Sequence, residues 1–368
     1  MNDPLNPIHN IQEPEDQEVQ EQKPRFTPLT PSDKPKSQWR RWHLAVLAFL
    51  IIASYLIVTK RNSPAPFQKD EGAVFGTFYH ITYQSSTNLK NEIEEELSRV
   101  DASLSMFNPE SVISQLNQGK DIVADSLFCQ IFSLSKRISE ATDGAFDITV
   151  APLVNAWGFG YKNGCLPDSA SIDSLLQFVG FRHVRLTPDG HLQKDDPRMI
   201  LDCSAIAKGF GVDVVADYLR RQGIENFIVE IGGEVVVEGC NPKGEAWHVG
   251  VNKPNDDPTS TNNELETVLS LTDCAMATSG NYRNYYTTED GRRIAHTINP
   301  STGYPAQQSI LSATVIAPTC AIADAFATSF MVMGLERAQE VLQRHQELQV
   351  FLIYDSLGQN KIYSTIKE

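Results

Sequence analysis

Strand-forming segments follow one another along most of this chain, and helical segments occur between them at intervals. Strands are predicted over 75–83, 184–192, 199–201, 227–231, 235–238, 247–252, 268–272, 292–298, 311–317 and 350–354, and helices over 93–104, 127–144 and 206–221. A doubly wound parallel sheet would need strands and helices in regular alternation, whereas consecutive strands favour antiparallel pairing. The sequence therefore predicts an α+β fold with mostly antiparallel sheets flanked by helices.

Two segments near the N-terminus differ in composition from the rest of the chain. The first 38 residues contain seven prolines and seven acidic residues with few apolar side chains, which is typical of disordered segments. An uncharged run follows over 44–58, and counting Trp42, His43 and Thr59 extends it to the length of a membrane span. A cleaved signal peptide and a retained anchor both fit this run, and the long preceding segment and the lack of an A-x-A site favour the anchor.

These compositions predict a disordered tail over 1–38, a transmembrane anchor over 42–59, a linker over 60–71 and one globular domain over 72–368. The basic residues around the anchor slightly favour a cytoplasmic N-terminus. We therefore expect a single-pass protein of the inner (cytoplasmic) membrane with its domain on the periplasmic or extracytoplasmic side. The formal net charge of −15 excludes nucleic acid as the main partner, because a phosphate backbone is bound by clustered positive charge.

Common catalytic motifs are absent from the sequence. The residues around Lys208 lack the spacing of a P-loop, and Gly158-Phe159-Gly160 is followed by Asn163 where a dinucleotide fingerprint has glycine. Neither G-x-S-x-G nor H-E-x-x-H occurs. P-loop, dehydrogenase, hydrolase and zincin interpretations are therefore disfavoured.

The segment 201–211 leads from a predicted strand into a predicted helix. The free N–H groups and partial positive charge of a helix N-terminus, together with Lys208 and two glycines, would form an anion site. The alternative is an ordinary helix start, with Asp202 as the capping residue and Lys208 in solvent. The residues alone favour neither interpretation.

Asp324 and Thr328 lie four residues apart near the start of a predicted helix, and they therefore share one face. Their neighbours are mainly Ala, Ile and Phe, so an unpaired carboxylate would be costly to bury there. A carboxylate and a hydroxyl are hard oxygen ligands that suit Mg²⁺. The alternative is an ion pair between Asp324 and an Arg or Lys elsewhere in the chain.

His296 alternates with Ile294 and Ile298 on one face of a predicted strand, and a turn over 299–303 follows. A histidine at a strand end can act as a general base because its ordinary pKa is close to neutral. A structural role is the alternative for a lone histidine.

These three segments, in this order, resemble the FAD:protein FMN transferase family, the ApbE-type flavin transferases. The resemblance extends from Gly72 to the C-terminus, and the matching segments are 76–79, 104–109, 144–147, 202–209, 231–233, 278–280, 296–303 and 323–328. The acceptor motif of this family, D-G-x-[ST]-G-[AST]-T, does not occur in the chain. The sequence therefore resembles the modifying enzyme and not its substrate.

The resemblance implies a Mg²⁺-dependent enzyme that cleaves FAD, attaches FMN through a phosphoester to a Ser or Thr of a target protein, and releases AMP. It implies that the carbonyl of Ala205, with Asp324 and Thr328, holds Mg²⁺, and that His296 helps to deprotonate the acceptor hydroxyl. The residues that it places at the FAD site are Phe75, Phe107, Ala145, Phe146, Asp147, Asp202, Lys208 and Ile298. The implied partners are proteins with the acceptor motif, expected among subunits of membrane redox complexes.

Several positions depart from the family pattern. Phe75 stands where Met usually precedes Gly-Thr, so an aromatic stack on the flavin is expected there, and Cys203-Ser204 replaces smaller residues. Glu230 and Glu234 flank the 231–233 turn and are assigned no role. Exported relatives are often lipoproteins, whereas a transmembrane anchor is predicted here. Two other activities stay open: an FAD pyrophosphatase that yields FMN and AMP, and a membrane-anchored flavin-binding protein without catalysis.

Overall fold

The computed structural model describes residues 36–61, 64–159, 166–254, 264–281, 285–287, 293–307 and 309–366. The chain forms two compact units that divide between Pro64 and Ala65. The second unit begins before Gly72, the predicted start of the domain, because Phe67–Val74 is a strand and not part of a linker. Residues 1–35 of the predicted disordered tail lie outside the described residues, and residues 36–38 belong to a helix.

The first unit contains one described helix, α1 (Lys36–Arg61). Large apolar side chains along it are exposed, including Trp42, Phe49 and Ile51. No helix in the described part of the chain is both long enough and apolar enough to cross a membrane. The transmembrane anchor predicted over 42–59 is thus not supported. Its strictly apolar or weakly polar part is limited to 44–58, which is shorter than the roughly 17–25 residues of a usual span.

The second unit combines seven described α-helices with fourteen described strands. The helices are α2 (Lys90–Leu104), α3 (Val112–Asn117), α4 (Ser126–Ala141), α5 (Ala151–Ala156), α6 (Ser169–Leu176), α7 (Ser204–Arg221) and α8 (Cys320–Arg344). The strands are β1 (Phe67–Val74), β2 (Thr77–Gln84), β3 (Val184–Leu186), β4 (Leu192–Lys194), β5 (Phe227–Ile231), β6 (Glu234–Glu238), β7 (Trp247–Asn252), β8 (Leu265–Leu271), β9 (Cys274–Gly280), β10 (Tyr285–Thr287), β11 (Arg293–Ala295), β12 (Ile310–Ala317), β13 (Gln349–Ser356) and β14 (Gln359–Ser364).

An eight-stranded sheet lies at the centre of this unit, in the order β1-β2-β5-β6-β9-β12-β13-β14. Every neighbouring pair in it is antiparallel. The hairpins β3–β4, β7–β8 and β10–β11 form separate two-stranded sheets. The predicted α+β fold of mostly antiparallel sheets flanked by helices is therefore confirmed.

The two faces of the central sheet are covered by different elements. Successive side chains of a strand point to opposite faces. Val236 and Ala275 accordingly belong to a core cluster with residues of α2 and α7, whereas Val235 and Met276 belong to one with residues of β7 and β8. Helices therefore cover one face, and the β7–β8 hairpin covers the other.

Several predicted elements differ from those observed, among them the strand predicted over 184–192, which is the hairpin of β3 and β4. The strand predicted over 75–83 is interrupted, because Phe75 and Gly76 form the tight turn between β1 and β2. Residues 199–201 are not a strand, and the strand predicted over 292–298 is limited to β11 within the described residues. The central strand β9 was not predicted, because its sequence CAMATSG has few of the large β-branched and aromatic residues that mark strands.

Candidate active site

Asp202 lies two residues before the start of α7, and its carboxylate binds the first backbone N–H of the helix. The Ser204 backbone N–H donates to Oδ1 of Asp202 at 2.7 Å, and the Asp202 N–H donates to the carbonyl of Ile148 at 2.7 Å. Burial raises the pKa of Asp202. The carboxylate thus occupies part of the helix N-terminus that the sequence analysis considered as an anion site, which agrees with the capping alternative.

Lys208 does not extend into solvent as that alternative assumed. Its Nζ contacts Oε1 of Glu234, the first residue of β6, and the exposed fractions of the two side chains are 34% and 3%. Burial lowers the pKa of Lys208, but the neighbouring carboxylates of Asp324 and Glu234 outweigh this effect, and the net shift is upward. Lys208 is therefore a protonated amine held at the edge of a buried acidic cluster.

Asp324 lies on α8 directly opposite this part of α7. The Gly209 N–H donates to Oδ2 of Asp324 at 3.1 Å, and only 3% of Asp324 is exposed. A Cβ on Gly209 would lie 2.4 Å from the carbonyl oxygen of Cys320, so glycine is what lets the two helices approach so closely. Lys208 is close enough for its charge to favour the ionised form of Asp324, although the carboxylate that Lys208 contacts directly is that of Glu234.

The cluster of Lys208, Glu234 and Asp324 has two carboxylates for one amine. Burial raises the pKa of both carboxyl groups, because a charge in a buried site loses its hydration. Oε2 of Glu234 is buried, and no described residue hydrogen-bonds to it. This oxygen therefore lacks a hydrogen-bond donor among the described residues, and the cluster contains more carboxylates than amines. An additional cation would stabilise such a buried site.

Oxygen donors for such a cation are present on both helices. Thr328 lies one turn after Asp324, and its Oγ1 is 3.1 Å from Oγ of Ser279 on β9. The Gly209 N–H that binds Asp324 is the amide four residues after Ala205, and an α-helix ordinarily pairs such an amide with the Ala205 carbonyl. In the described residues, no three His, Cys, Asp or Glu side chains form a metal cluster. A metal here would therefore need the hydroxyl and carbonyl donors, which fit a hard cation such as Mg²⁺.

Phe75 lies against α7 one turn beyond Lys208. A Cβ on Gly211 would lie 2.6 Å from Cε2 of the Phe75 ring, so the ring packs on this glycine. Phe75 has a φ of 52° and Gly76 a φ of 74°, and Val74 pairs with Thr77 across this two-residue turn. A bulky residue rarely adopts a positive φ, and strain of this kind concentrates at functional sites.

Phe107, another residue of the implied FAD site, is 80% exposed in the connection between α2 and α3.

The segment 145–147 is buried. Oδ1 of Asp147 accepts from the Thr149 N–H and hydroxyl at 2.8 and 2.7 Å, and Oδ2 accepts from the Phe181 N–H at 2.8 Å. These bonds hold the loop that also contacts Asp202 through the Ile148 carbonyl. Asp147 thus stabilises a loop beside the start of α7, and both of its oxygens are already engaged.

His296 follows β11 in a different part of the fold. It is half-buried, and its ring lies edge-on to Phe159 with a centroid distance of 6.3 Å. Ile298 is 5% exposed in an apolar cluster that also contains Trp157. The Trp157 Nε1–H donates to the Gly303 carbonyl at 2.7 Å and fixes the turn after Ile298. The histidine is therefore held next to a rigid turn.

A sequence profile described as the ApbE family matches residues 75–352 of this chain. The chain belongs to the ApbE family. It is 38% identical over 319 residues to the FAD:protein FMN transferase of Vibrio cholerae, and the match covers 83% of this chain and 92% of that protein. The FAD:protein FMN transferase of Escherichia coli K12 is 36% identical over 297 residues, with 77% and 83% covered.

Solved structures of ApbE proteins have the same fold. The flavin transferase ApbE of Vibrio cholerae superposes with a TM-score of 0.73 at 36% identity, covering 82% of this chain and 97% of that one. The apo flavinyl transferase ApbE of Pseudomonas stutzeri gives 0.73 at 28% identity, covering 83% and 96%.

In this ApbE-family chain, the structure brings together a subset of the predicted residues. Lys208 lies on α7, and the Phe75 ring packs on Gly211 of the same helix. Asp324 contacts Gly209 from α8, and Thr328 lies one turn further along α8, against Ser279 of β9. Glu234 was missed, although a glutamate at the head of the buried strand segment Glu-Val-Val-Val was a signal in the sequence. Ser279 lies in the matching segment 278–280 but was assigned no role, because its contact with Thr328 depends on the unpredicted strand β9.

Proposed function

We propose that this chain is an FAD:protein FMN transferase that breaks the pyrophosphate of FAD, joins the FMN phosphate to a Thr or Ser hydroxyl, and releases AMP. The proposal is supported by membership of the ApbE family and by relatives with that name. The observation on which it depends most is the buried contact of α7 with α8, where Lys208 and Asp324 lie next to the unpaired oxygen of Glu234. Such a site can take a cation together with an anionic phosphate.

In this proposal Asp324, Thr328 and the Ala205 carbonyl would hold Mg²⁺. Bound there, the ion would offset negative charge on the pyrophosphate oxygens, where stabilisation of developing charge matters most in phosphoryl transfer. The surplus carboxylate charge supports this assignment.

The chain's own groups would bind and orient FAD. Lys208 offers a protonated amine to the pyrophosphate, and Glu234 fixes the amine's position. Phe75 offers an aromatic face at the other end of the same stretch of α7. The remaining residues proposed to line the FAD site are Phe107, Ala145, Phe146, Asp147, Asp202 and Ile298.

His296 would act as the general base. Its ring nitrogen would accept the proton of the acceptor hydroxyl as that oxygen forms a bond to the FMN phosphorus and the bond from phosphorus to the AMP oxygen breaks. The turn fixed by Trp157 and Gly303 supports this role, because a base must be held within hydrogen-bond reach of the proton that it removes. The acceptors would be proteins with the D-G-x-[ST]-G-[AST]-T motif, such as subunits of membrane redox complexes.

The competing activity is FAD pyrophosphatase, in which water replaces the acceptor hydroxyl. To separate the two, AMP is quantified by chromatography after incubating the full-length chain with FAD and Mg²⁺, with and without a protein bearing the acceptor motif. A matched acceptor whose modified Thr is replaced by Val is the control. We expect AMP to form only with the intact acceptor and in equal amount to protein-bound flavin. AMP at the same rate without acceptor would identify a hydrolase.

We also propose that the protein is associated with the inner membrane through α1 and that its ApbE-family unit is extracytoplasmic. The support is the uncharged sequence of 44–58 and the exposure of apolar side chains along the described part of α1. We expect the full-length protein to resist carbonate extraction from membranes and to be digested by protease added to spheroplasts. Release by carbonate, or protection from the protease, would contradict this location.

A further inference from the structure

Asp213 has no role in the proposed chemistry, yet its carboxylate joins the two helices of the site. It lies on α7, one turn after Gly209. Its Oδ1 accepts from the Cys320 N–H at 2.7 Å, and its Oδ2 accepts from the Ala321 N–H at 2.8 Å. These are the first two residues of α8, so both oxygens are directed at the start of the neighbouring helix.

Asp213 and Thr319 bind the backbone N–H groups of the first three residues of α8. The N–H groups at the start of a helix lack partners within it. Asp213 accepts from Cys320 and Ala321, and Oγ1 of Thr319 accepts from Ile322. Regular helical bonding begins with the Ala323 N–H, which donates to the Thr319 carbonyl. A carboxylate is also favoured here by the partial positive charge of the helix end. This helix end is therefore closed to an external anion and is attached to α7.

We infer that Asp213 is a positioning residue, whose carboxylate holds the first turn of α8 against α7 and thereby fixes the place of Asp324. Two sets of hydrogen bonds one turn apart join the two helices, between Asp213 and the first turn of α8 and between Gly209 and Asp324. The inference rests on the proposed function, because Asp324 is its proposed metal ligand. Without the Asp213 bonds, α8 can shift along α7, and the metal donors on the two helices lose their common geometry.

The charged groups near Asp213 do not offer an alternative role. Asp217 and Arg220 lie further along α7 and bind each other at 2.7 Å on the exposed side. The neighbouring thiol of Cys320 is fully buried. Among the described residues, Asp213 forms no ion pair, and its carboxylate accepts only from backbone amides of α8.

The test compares full-length wild type, Asp213→Asn and Asp217→Asn at pH 8. Asn keeps the shape of Asp and one acceptor oxygen, whereas its NH₂ group cannot accept the second N–H bond. Asp217→Asn is the matched control, since Asp217 is exposed on the same helix. Mn²⁺, which favours the same oxygen ligands as Mg²⁺, is titrated in the presence of FAD and followed by electron paramagnetic resonance. FMN transfer is measured in parallel, and circular dichroism verifies that each variant is folded.

We expect Asp213→Asn to weaken Mn²⁺ binding about 10–100-fold, the usual effect of losing a group that orients metal ligands. Asp217→Asn should leave Mn²⁺ binding unchanged. A folded Asp213→Asn with wild-type Mn²⁺ affinity, or equal losses in both variants, would overturn the inference, as would a wild type that binds no Mn²⁺. If the wild type binds Mn²⁺ without transferring FMN, the proposed function fails, while the comparison of variants still decides the role of Asp213.

Cys320→Pro tests the same contact from the other side. Proline is well tolerated at the first position of a helix, and Thr319 already has the extended backbone that must precede it. The substitution deletes one N–H donor to Asp213 without changing the carboxylate. We expect weaker Mn²⁺ binding in this variant too, and unchanged binding would count against the inference, even if Asp213→Asn proved unable to fold.

Discussion

Among single residues, Glu234 changes the interpretation of the site most. The sequence around Lys208 is compatible with an anion site or with a side chain in solvent, whereas the structure pairs Lys208 with a carboxylate that is almost fully buried. A residue on α7 and one on β6 meet only because the chain folds back through β5, so local sequence around Lys208 contains no sign of the pair. The excess of carboxylates over amines in this cluster depends on this contact, so the local sequence could not predict it.

The Lys208–Glu234 pair should show strong energetic coupling. We predict that Lys208→Met lowers the free energy of unfolding more than the double variant Lys208→Met/Glu234→Gln does, because the single change leaves a buried carboxylate without its cation. The expected coupling is about 1–3 kcal/mol, reduced from the fully buried case because Lys208 is partly exposed. Chemical denaturation of the four proteins measures it.

The exposed pair Lys253–Glu264 is the matched control for this cycle, with 3.6 Å between its charged atoms. The same substitutions, Lys253→Met and Glu264→Gln, should give no measurable coupling. Additive effects at Lys208 and Glu234 would show that the buried contact does not stabilise the fold.

Asp213 should make stability depend on pH. Burial raises its pKa to about 7 in the folded protein, against 3.8 for an ordinary aspartate. Between these values the folded protein binds a proton that the unfolded chain does not, so stability falls as pH rises. We therefore compare the free energies of unfolding of wild type and Asp213→Asn as a function of pH. We predict that wild type minus variant decreases from about pH 4 to about pH 7 and is constant above about pH 7. An increase with pH would contradict the burial of this group.

Among the elements, the α7–α8 contact determines the geometry of the site. We predict that Gly209→Ala forces these helices apart, because its Cβ would meet the backbone of Cys320 at 2.4 Å. FMN transfer should fall at least about tenfold, since displacements near 1 Å can cost a factor of a hundred. The measurement is kcat for FMN transfer at saturating FAD.

Gly250→Ala on β7 is the control for this substitution. Its Cβ would meet only the side-chain tip of Leu265, which can move aside. This variant should keep wild-type activity. Equal activity of the two variants would show that the close approach of α7 and α8 is not needed.

The predictability of the elements varied with how strongly their sequences are patterned. α2, α4 and α7 have clear apolar stripes, and each was predicted to within a few residues. The β5–β6 hairpin was also evident, from alternating apolar residues around two glycines. β9 was missed because strands in the centre of a sheet can be built from small residues when helices pack closely on them.

For the whole molecule, the ordered set of segments in the sequence indicated the family, and the comparisons confirm it. The sequence also predicted Lys208 and Asp324 as site residues, and the structure places both in one buried cluster at the contact of α7 with α8. The sequence could not show how they are held, because Asp213, Gly209 and Glu234 act across helix and sheet contacts distant in sequence. The pairing of Lys208 with Glu234 and the distance between α7 and α8 arise only when the chain has folded.

The central claim is that this chain transfers FMN from FAD to protein. The most direct measurement incubates the full-length chain with FAD, Mg²⁺ and an acceptor protein, and then reads covalent flavin fluorescence on a denaturing gel. Parallel samples contain EDTA, His296→Ala, or the acceptor with its Thr replaced by Val. We predict fluorescence at the acceptor band in the complete mixture and its loss in each of the three controls. An unlabelled acceptor in the complete mixture, or labelling that persists with EDTA and without His296, would contradict the account.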